Sequence, residues 1–405
     1  MIKDHTLFFK NLLCIYPKNI FHIFAVTITM SVSLTLFQQA LIAWFHREQR
    51  ALPWRKGYIP YQIWISEIML QQTQMERVTL FFNSWLQEFP DIHSLALASE
   101  DKVLKQWEGL GYYSRARNIL KCARIIVQDH NGVIPSTRKS LLALPGIGPY
   151  TAGAIASIAY NLPVPLVDAN IGRLFARLFN IDIPLSQAQN SLWQKAEELV
   201  PQDQARSFNQ GLMELGALIC TPKNPVCPEC PLSPFCIAYR DDLILSRPIP
   251  QKGKTITTIE MATGVLSHPQ DKGRLFIQQR LADDVWGSLW EFPGGRLKHS
   301  ESPDQAVIRE FFEETGFSVR VDKKITTTIH HYTRYRVILH CFLCSLDLLE
   351  SDESQDPILY AAQEYRWVFF PELANFAFPA GHRKLIEFMQ GVQPVKGTGQ
   401  ISSRK

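Results

Sequence analysis

Glu67 is a carboxylic residue in the middle of a helical face that is otherwise apolar, within the segment PYQIWISEIMLQQTQMER (60–77). Burying a carboxyl on such a face is expensive unless the group is paired or neutral. One interpretation is a salt-bridged structural glutamate. The other is an acid whose raised pKa lets it give a proton at neutral pH. The helical pattern is compatible with both.

A second set of candidate residues surrounds the turn PGIGP at 145–149, which lies between two segments with helical periodicity. Its glycines, Gly146 and Gly148, allow close approach to a partner, and the free N–H groups of the following helix suit a phosphate. Asp168 and Asn170 follow at the start of another helix, where N-capping is the common use of such residues. The turn and the carboxylate together suggest chemistry on a nucleic acid, although most such helix pairs are only packing units.

Four of the eight cysteines crowd into one segment with the spacing C-x6-C-x2-C-x5-C, namely Cys220, Cys227, Cys230 and Cys236. Thiolates at this spacing, in a proline-rich loop after a helix, can surround one compact metal centre. Zinc and a cubane iron–sulfur cluster both fit this donor set. The other cysteines are scattered, which favours a reducing compartment over a secreted disulfide scaffold.

A third group of carboxyls lies in the second half of the chain, where Glu310, Glu313 and Glu314 share one helical face. Clustered carboxylates of this kind suit a Mg²⁺ ion that bridges a diphosphate. The stretch Gly295–Phe317 matches the Nudix signature G-x5-E-x7-R-E-U-x-E-E-x-G-U at every position, with U a bulky apolar residue. The alternative, a simple surface charge cluster, does not explain the complete motif.

The elements that must position these residues divide into two domains, which a chain of 405 residues can support. The net charge of +4 is compatible with a nucleic-acid partner. Helical periodicity covers the first half, with segments at 34–50, 60–77, 107–127, 137–144, 151–160 and 168–180. Past a polar linker at 241–258 the pattern changes to strands at 261–266, 275–280, 319–329 and 335–346. The apolar-leaning extension 1–32 fits neither a signal peptide nor a membrane span and is expected to lie outside the fold.

Seven features in the first half, taken together, resemble the helix-hairpin-helix DNA glycosylases with an iron–sulfur loop, and more narrowly the adenine DNA glycosylase (MutY) family. They are LPWR (52–55), SEIMLQQTQ (66–74), GLGYYSRAR (109–117), LPGIGPYTAGAI (144–155), VDANIGR (167–173), FNQGLMELGALIC (208–220) and the cysteine spacing. The resemblance covers about 34–240. It implies an α+β multidomain protein with an all-α helix-hairpin-helix glycosylase domain followed by an α/β Nudix-like domain.

The implied domain boundaries are 33–240 for the glycosylase domain, with its iron–sulfur loop at 220–236, then the linker 241–258. The Nudix-like domain follows at 259–390, and 391–405 is expected to be a flexible tail.

The resemblance also implies roles for individual residues. The catalytic group comprises Glu67 as general acid, Asp168 as the ionised partner of the sugar cation, and their supports Tyr150 and Asn170. The adenine pocket comprises Leu52, Trp54, Arg55 and Gln210. The DNA contacts are Gln72, Tyr112, Gly146 and Gly148. The four clustered cysteines would hold a [4Fe-4S] cluster.

Two positions in the first half bear on the type of reaction. Relatives that also cleave the backbone carry a nucleophilic lysine where this chain has Tyr150, so the resemblance implies a monofunctional enzyme that leaves an abasic site. Ala169 stands where the family usually has glycine, which puts a methyl group near the sugar.

In this family the C-terminal domain reads 8-oxoguanine opposite the adenine, and Thr333 is the reader by analogy. Arg334 stands where the family has histidine. Trp286, Trp290, Phe292 and Trp367 are candidates for aromatic walls. Because the Nudix box is intact, the resemblance raises a second activity, Mg²⁺-dependent hydrolysis of 8-oxo-dGTP, with Glu310, Glu313 and Glu314 as ligands.

The sequence therefore predicts a base-excision repair enzyme that removes adenine mispaired with 8-oxoguanine or guanine in double-stranded DNA. We expect a monomer in the bacterial cytoplasm, at the nucleoid, without a membrane partner. One alternative is a nucleotide-pool diphosphatase whose helical half tethers it to DNA. The other is a non-enzymatic iron–sulfur module that binds DNA without base release.

Overall fold

The computed structural model describes residues 34–250, 255–332, 334–347 and 356–391. The extension 1–32 and the tail beyond Gly391 lie outside the described residues. Within the described ranges, no helix is both long and apolar enough to cross a membrane.

Helices dominate the chain as far as Arg240, as the sequence predicts. In chain order the helices of the whole structure are α1 (34–48), α2 (Pro60–Leu70), α3 (Met75–Glu88), α4 (Ile92–Ala96), α5 (Glu100–Trp107), α6 (Ser114–Asp129), α7 (Arg138–Leu142), α8 (Pro149–Ala154), α9 (Ala169–Leu178), α10 (Gln189–Leu199), α11 (Ala205–Leu218), α12 (Ile237–Arg240), α13 (Pro303–Thr315) and α14 (Ala380–Met389).

Strands begin past the linker. They are β1 (Thr257–Leu266), β2 (Arg274–Arg280), β3 (Trp290–Glu291), β4 (Gly294–Arg296), β5 (Val319–Tyr332), β6 (Tyr335–Leu346) and β7 (Ala362–Phe369). A helical first half followed by a mixed α/β second half confirms the predicted fold class.

The chain divides into two compact units. The first contains the described residues up to Asn83 together with Val133–Gln251, and the second contains Ser84–Gly132 together with the residues from Lys252 onward. The segment Ser84–Gly132 thus belongs to the same unit as the strands, whereas the sequence predicts that it belongs to the helical domain. The predicted domain boundaries stay a prediction.

The segment 60–77, expected to be one helix, is two. Helix α2 ends at Leu70, and α3 begins at Met75. Between them Gln72 has a φ of 60°, in the left-handed region that a continuous helix excludes. The break places a short loop, rather than a helical surface, beside the residues described in the next subsection.

Two glycines allow close packing around the start of α9 in the first unit. A Cβ on Gly153, in α8, would lie 2.2 Å from the carbonyl oxygen of Pro165. A Cβ on Gly216, in α11, would lie 2.8 Å from the Cβ of Asn170. Since real Cβ atoms do not approach other atoms so closely, both contacts require glycine. They fix the segment 165–170 against two helices.

The strands of the second unit form two sheets, with orders β4-β1-β6-β5 and β3-β2-β7. Strand β1 pairs parallel to β6, and every other pairing is antiparallel. One core cluster contains Ala306, Val307 and Phe311 of α13, and a second contains Leu385 and Ile386 of α14. Helix α13, which carries the clustered glutamates, starts at a Ser302 capping box and stops at Gly316, whose φ is 71°.

Candidate active site

A cleft of about 910 Å³ opens in the first unit, lined by α2, by the 145–149 turn with the start of α8, and by the start of α9. It brings together all the predicted catalytic and adenine-pocket residues and three of the predicted DNA contacts. These are Leu52, Trp54, Arg55, Glu67, Gln72, Gly146, Gly148, Tyr150, Asp168, Asn170 and Gln210. Side chains from distant parts of the sequence therefore share one concave surface, which is the usual setting of an active site.

Glu67 is the acid at the base of this cleft, with 3% of its surface exposed. Its Oε2 accepts a hydrogen bond of 2.5 Å from the Tyr150 hydroxyl. Burial raises the pKa of Glu67 to about 7, the hydrogen bond from Tyr150 lowers it, and the nearby charges of Asp168 and Arg55 act in opposite directions. A carboxyl with this pKa holds its proton in part of the molecules at neutral pH, as a general acid requires.

Tyr150 lies at the start of α8, directly after the glycine turn. Burial and the neighbouring carboxylates raise the pKa of its phenol well above the usual range. The hydroxyl therefore keeps its proton and donates a hydrogen bond to Glu67. Proline at the first position of the helix and Gly148 before it fix this geometry. A Cβ on Gly148 would meet no atom within 4 Å, so the turn faces open space.

Asp168 is the N-cap of α9, as the sequence predicts, and it also lines the cleft. Its Oδ1 accepts the Ile171 N–H at 2.7 Å, and its Oδ2 accepts the Asn170 side-chain amide at 3.0 Å. Burial raises the pKa of Asp168, while these hydrogen bonds oppose the shift because they favour the carboxylate. Arg173 donates in turn to Asn170 Oδ1 at 3.0 Å.

Ala169 is the first helical residue of α9, and its side chain is exposed in the cleft. Alanine adopts helical backbone angles without strain, so replacement of the family's glycine costs nothing in conformation.

The predicted adenine pocket contains a buried ion-pair network that the sequence analysis missed. Arg55 donates to Gln210 Oε1 at 2.9 Å and to Glu214 Oε1 at 2.6 Å, and Arg50 reaches Glu214 Oε2 at 2.6 Å. Glu214 is 1% exposed. No local pattern in the sequence marks this network, because Arg50 and Arg55 lie 164 and 159 residues before Glu214.

The remaining predicted residues fall outside this cleft. Tyr112 belongs to the second unit and has a φ of 50°. Thr333 lies outside the described residues.

The four clustered cysteines line one small cavity in the first unit. Its other lining residues are Leu174, Arg177, Leu178, Ile219, Ser233, Tyr239 and Ile244. None of the four forms a disulfide bond with another described cysteine. As the side chains stand, no three or more His, Cys, Asp or Glu residues in the described ranges are grouped tightly enough for a single metal ion. Because a cubane cluster binds each thiolate to a different iron atom, its ligands do not converge on one point.

The charge and burial of Arg177 show whether the cavity suits such a cluster. This side chain is 2% exposed, and its Nη1 donates to Cys220 Sγ at 3.3 Å. Its other hydrogen bonds go to the carbonyl oxygens of Thr221, Pro222 and Arg247, and within the described chain it forms no ion pair with a carboxylate. A buried cation without a carboxylate partner fits an anionic group held by the four thiolates.

A separate cleft of about 480 Å³ lies in the second unit. Glu310 and Glu314 line it, whereas Glu313 lies at the surface and pairs with Lys298 and Arg309. Burial, and then the charge of Glu291, raise the pKa of Glu314 to about 8.

The predicted aromatic walls of that cleft need a correction. Trp286 lines it, but Trp290 and Phe292 are buried in the core, and Trp367 packs against Phe276. The sequence cannot tell an aromatic residue that lines the cleft from one that is buried in the core, because both kinds occur close together in the segment 286–292.

Two family models match the chain. A model described as the HhH-GPD superfamily of base excision DNA repair proteins matches residues 65–201, and a NUDIX domain model matches residues 264–388. The first range spans the glycine turn, Glu67 and Asp168. The second spans the three clustered glutamates.

Named relatives extend over both halves. The chain is 37% identical over 324 residues to the adenine DNA glycosylase of Buchnera aphidicola subsp. Schizaphis graminum, which covers 79% of this chain and 90% of that one. It is 30% identical over 426 residues to the adenine DNA glycosylase of Homo sapiens, which covers 92% and 77%. Among solved structures, a thermostable thymine-DNA glycosylase is 30% identical, with a TM-score of 0.49, over 52% of this chain and 99% of that one.

Proposed function

Since the chain belongs to the adenine DNA glycosylase family and is a base-excision repair enzyme, we propose that it releases adenine through Glu67 and Asp168. The observation that carries this assignment of roles is the hydrogen bond from the Tyr150 hydroxyl to Glu67 in a cleft that also contains Asp168. The substrate is adenine paired with 8-oxoguanine or guanine in double-stranded DNA.

Glu67 supplies the proton. Adenine is a poor leaving group unless its ring is protonated, so an acid with a pKa of about 7 is suited to the task near neutral pH. Once the base has left, the ionised Glu67 accepts a proton from the attacking water. To reach Glu67 the adenine must leave the base stack, and the cleft of about 910 Å³ has room for it.

Asp168 stabilises the sugar as it becomes an oxocarbenium ion. The Ile171 N–H and the Asn170 amide hold its carboxylate and favour the ionised form. Together Glu67 and Asp168 form a protonated and an ionised carboxyl in one cleft, the arrangement that glycosidic cleavage uses.

The reaction ends at an abasic site. A lyase step needs an amine that attacks the sugar and forms a Schiff base. Tyr150 stands at the position of that amine, and none of the described residues that line the cleft is a lysine. The enzyme is therefore monofunctional.

The four cysteines Cys220, Cys227, Cys230 and Cys236 would hold a [4Fe-4S] cluster, with Arg177 as the adjacent cation. Such a cluster ties a loop together and supplies a group capable of electron transfer. The protein residues provide the four thiolates and a buried countercharge.

DNA recognition is assigned to Gln72, to the glycines of the 145–149 turn, to Tyr112 and to Thr333. Gln72, Gly146 and Gly148 line the cleft. The protein is proposed to act as a monomer at the bacterial nucleoid.

A second candidate function is Mg²⁺-dependent hydrolysis of 8-oxo-dGTP by the second unit. The observation that favours it is the position of Glu310 and Glu314 in the wall of a cleft that Trp286 also lines. Of the three predicted ligands, Glu310 and Glu314 line the cleft and would hold the ion, since oxygen ligands are what Mg²⁺ prefers. Glu313 would join them only on release from its pairs with Lys298 and Arg309. Gly295 leaves room for the Glu310 carboxyl, which lies 2.3 Å from the place a Cβ would take.

One experiment tests both functions. Purified protein is incubated with a duplex that contains adenine opposite 8-oxoguanine and is then treated with alkali; in parallel it receives 8-oxo-dGTP and Mg²⁺. Strand cleavage only after alkali supports the monofunctional glycosylase, and cleavage before alkali contradicts it. Pyrophosphate release in the parallel reaction supports the second function. Pyrophosphate release without any base release would support the alternative of a nucleotide-pool diphosphatase, and DNA binding with neither product would leave only the non-enzymatic alternative.

A further inference from the structure

The 109–113 loop (Gly-Leu-Gly-Tyr-Tyr) joins α5 to α6 within the second unit and carries Tyr112. Gly109, Gly111 and Tyr112 have φ values of 96°, 72° and 50°, so the loop has no regular backbone to hold its shape. Arg115 Nη2 donates to the Gly111 carbonyl oxygen at 2.9 Å, which ties the loop to α6. Arg115 Nη2 also donates to the Leu110 carbonyl oxygen at 3.0 Å, and Trp107 Nε1 donates to the Gly111 carbonyl oxygen at 3.1 Å. Further anchors come from the C-terminal part of the chain.

Glu108 immediately precedes the loop and is the centre of these anchors. Its Oε1 accepts the Phe378 N–H at 2.9 Å and Arg383 Nε at 2.8 Å, and its Oε2 accepts Lys105 Nζ at 2.6 Å. The side chains of Glu108 and Arg383 are 13% and 19% exposed. A charge-assisted cluster this far from water is strong and directional, in contrast to an ion pair at the surface.

The other end of the loop is fixed to the same C-terminal strip. The Tyr113 hydroxyl donates to the Phe378 carbonyl oxygen at 3.2 Å and accepts the Gly109 N–H at 3.4 Å. Lys105 Nζ also donates to the Phe376 carbonyl oxygen at 3.1 Å. Both ends of the loop therefore rest on residues 376–378.

Tyr112 itself touches the end of β5. Its ring centroid lies 5.8 Å from that of Tyr332, the residue before Thr333. Tyr332 lies in turn 5.8 Å from Trp286. The residue proposed to contact the duplex thus packs against Tyr332, which precedes in sequence the residue proposed to read the lesion.

We infer that Glu108 is a positioning residue that fixes Tyr112 relative to the end of β5 and so couples recognition of the base opposite adenine to the removal of adenine. This inference rests on the proposed function. Loss of the hydrogen-bonded group of Glu108, Lys105 and Arg383 lets the 109–113 loop move against β5. Repair of the pair with 8-oxoguanine, which depends on lesion reading, then suffers more than repair of the pair with guanine.

The test compares Glu108→Gln and Arg383→Gln with the wild-type protein in single-turnover adenine release. The substrates are two duplexes that differ only in 8-oxoguanine or guanine opposite the adenine. We expect the rate with 8-oxoguanine to fall about tenfold and the rate with guanine by less than about twofold. The rate of the double variant with 8-oxoguanine should be no lower than that of either single variant. The rate of Arg383→Lys should lie between those of Arg383→Gln and the wild-type protein. Glu88→Gln, whose exposed pair with Lys102 lies in the same unit, is the matched control.

Equal losses on both duplexes, or a fall in thermal stability that accounts for the loss, would show a merely structural residue and overturn the inference. The inference is also overturned if the ratio of the rate with 8-oxoguanine to the rate with guanine is the same in both single variants as in the wild-type protein. The proposed function fails differently, since the wild-type protein would then release no adenine from either duplex.

Discussion

The hydroxyl of Tyr150 and the carboxyl of Glu67, which are 83 residues apart in sequence, share a hydrogen bond of 2.5 Å inside the active-site cleft. The tyrosine keeps its proton, and the glutamate has a pKa of about 7. Burial turns Glu67 into an acid matched to neutral pH, and the hydrogen bond from Tyr150 limits how far its pKa rises. Most of the testable consequences of the fold follow from this contact and from the groups around it.

Replacement of Glu67 by glutamine should reduce adenine release by roughly 10³-fold or more, because the variant has no proton to give and no base to activate water. Duplex binding should be preserved, since the amide has the same shape. Single-turnover release and a binding titration measure the two effects. Glu76→Gln, an exposed carboxyl on α3, is the control and should leave both unchanged. Normal turnover by Glu67→Gln would remove Glu67 from its role.

Replacement of Tyr150 by phenylalanine should move the alkaline limb of the pH–rate profile to higher pH. The hydrogen bond from Tyr150 lowers the pKa of Glu67, so its loss raises that pKa further. The protonated acid then persists to higher pH. Rates measured from about pH 5 to pH 9 report the shift. An alkaline limb that stays in place would mean that another group titrates there.

Because Glu67 is buried, its ionisation lowers the free energy of unfolding at neutral pH and above. Its pKa in the folded protein is about 7, against an ordinary value of 4.5. Below the ordinary value the carboxyl is protonated in both the folded and unfolded states; as pH rises, the unfolded state ionises first, and the folded state loses stability up to the folded pKa. This difference corresponds to roughly 3 kcal/mol in the free energy of unfolding.

Glu67→Gln should therefore be more stable than the wild-type protein at about pH 8, and the advantage should shrink by about pH 5. Urea unfolding at both pH values measures it, with Glu76→Gln as the reference. An advantage of the same size at both pH values would contradict the assignment of a raised pKa.

Substitution of one cysteine in the cluster, Cys230→Ser, should lower the bound iron and the visible absorption of the purified protein, because one of four ligands is lost. It should also lower the thermal midpoint. Cys122→Ser is the comparison, since Cys122 is buried elsewhere and lines no part of the cysteine cavity. Equal iron content in both variants would argue against the four-cysteine site.

Glu310→Gln should abolish hydrolysis of 8-oxo-dGTP and leave adenine release within about twofold, because Glu310 lines the cleft of the second unit, whereas Glu67 lies in the first. A chelator of divalent cations should have the same selective effect. Asp304→Asn, an exposed carboxyl on the same helix, controls for the loss of charge. If the chelator stops adenine release as well, the two activities are not separate.

Sequence reasoning predicted the composition of the cleft well because its residues sit in motifs with fixed order, such as Glu67 in SEIMLQQTQ and Asp168 in VDANIGR. It could not predict the break between α2 and α3, since the polar stretch QQTQ at 71–74 contains no glycine or proline that would mark the end of a helix. Only tertiary packing selects the left-handed backbone at Gln72. It missed Glu214, whose importance appears only when Arg50 and Arg55 converge on it from another part of the chain. Partners so distant in sequence leave no local pattern.

The glycines at 153 and 216 show how fragile this chemistry is to changes made elsewhere. A methyl group on Gly153 would lie 2.2 Å from the Pro165 carbonyl oxygen, and one on Gly216 would lie 2.8 Å from the Asn170 Cβ, so the segment that carries Asp168 and Asn170 would have to shift. A misplacement of about 1 Å can cost roughly a hundredfold in rate. A substitution at either glycine would therefore impair catalysis while leaving Glu67 and Asp168 themselves unchanged.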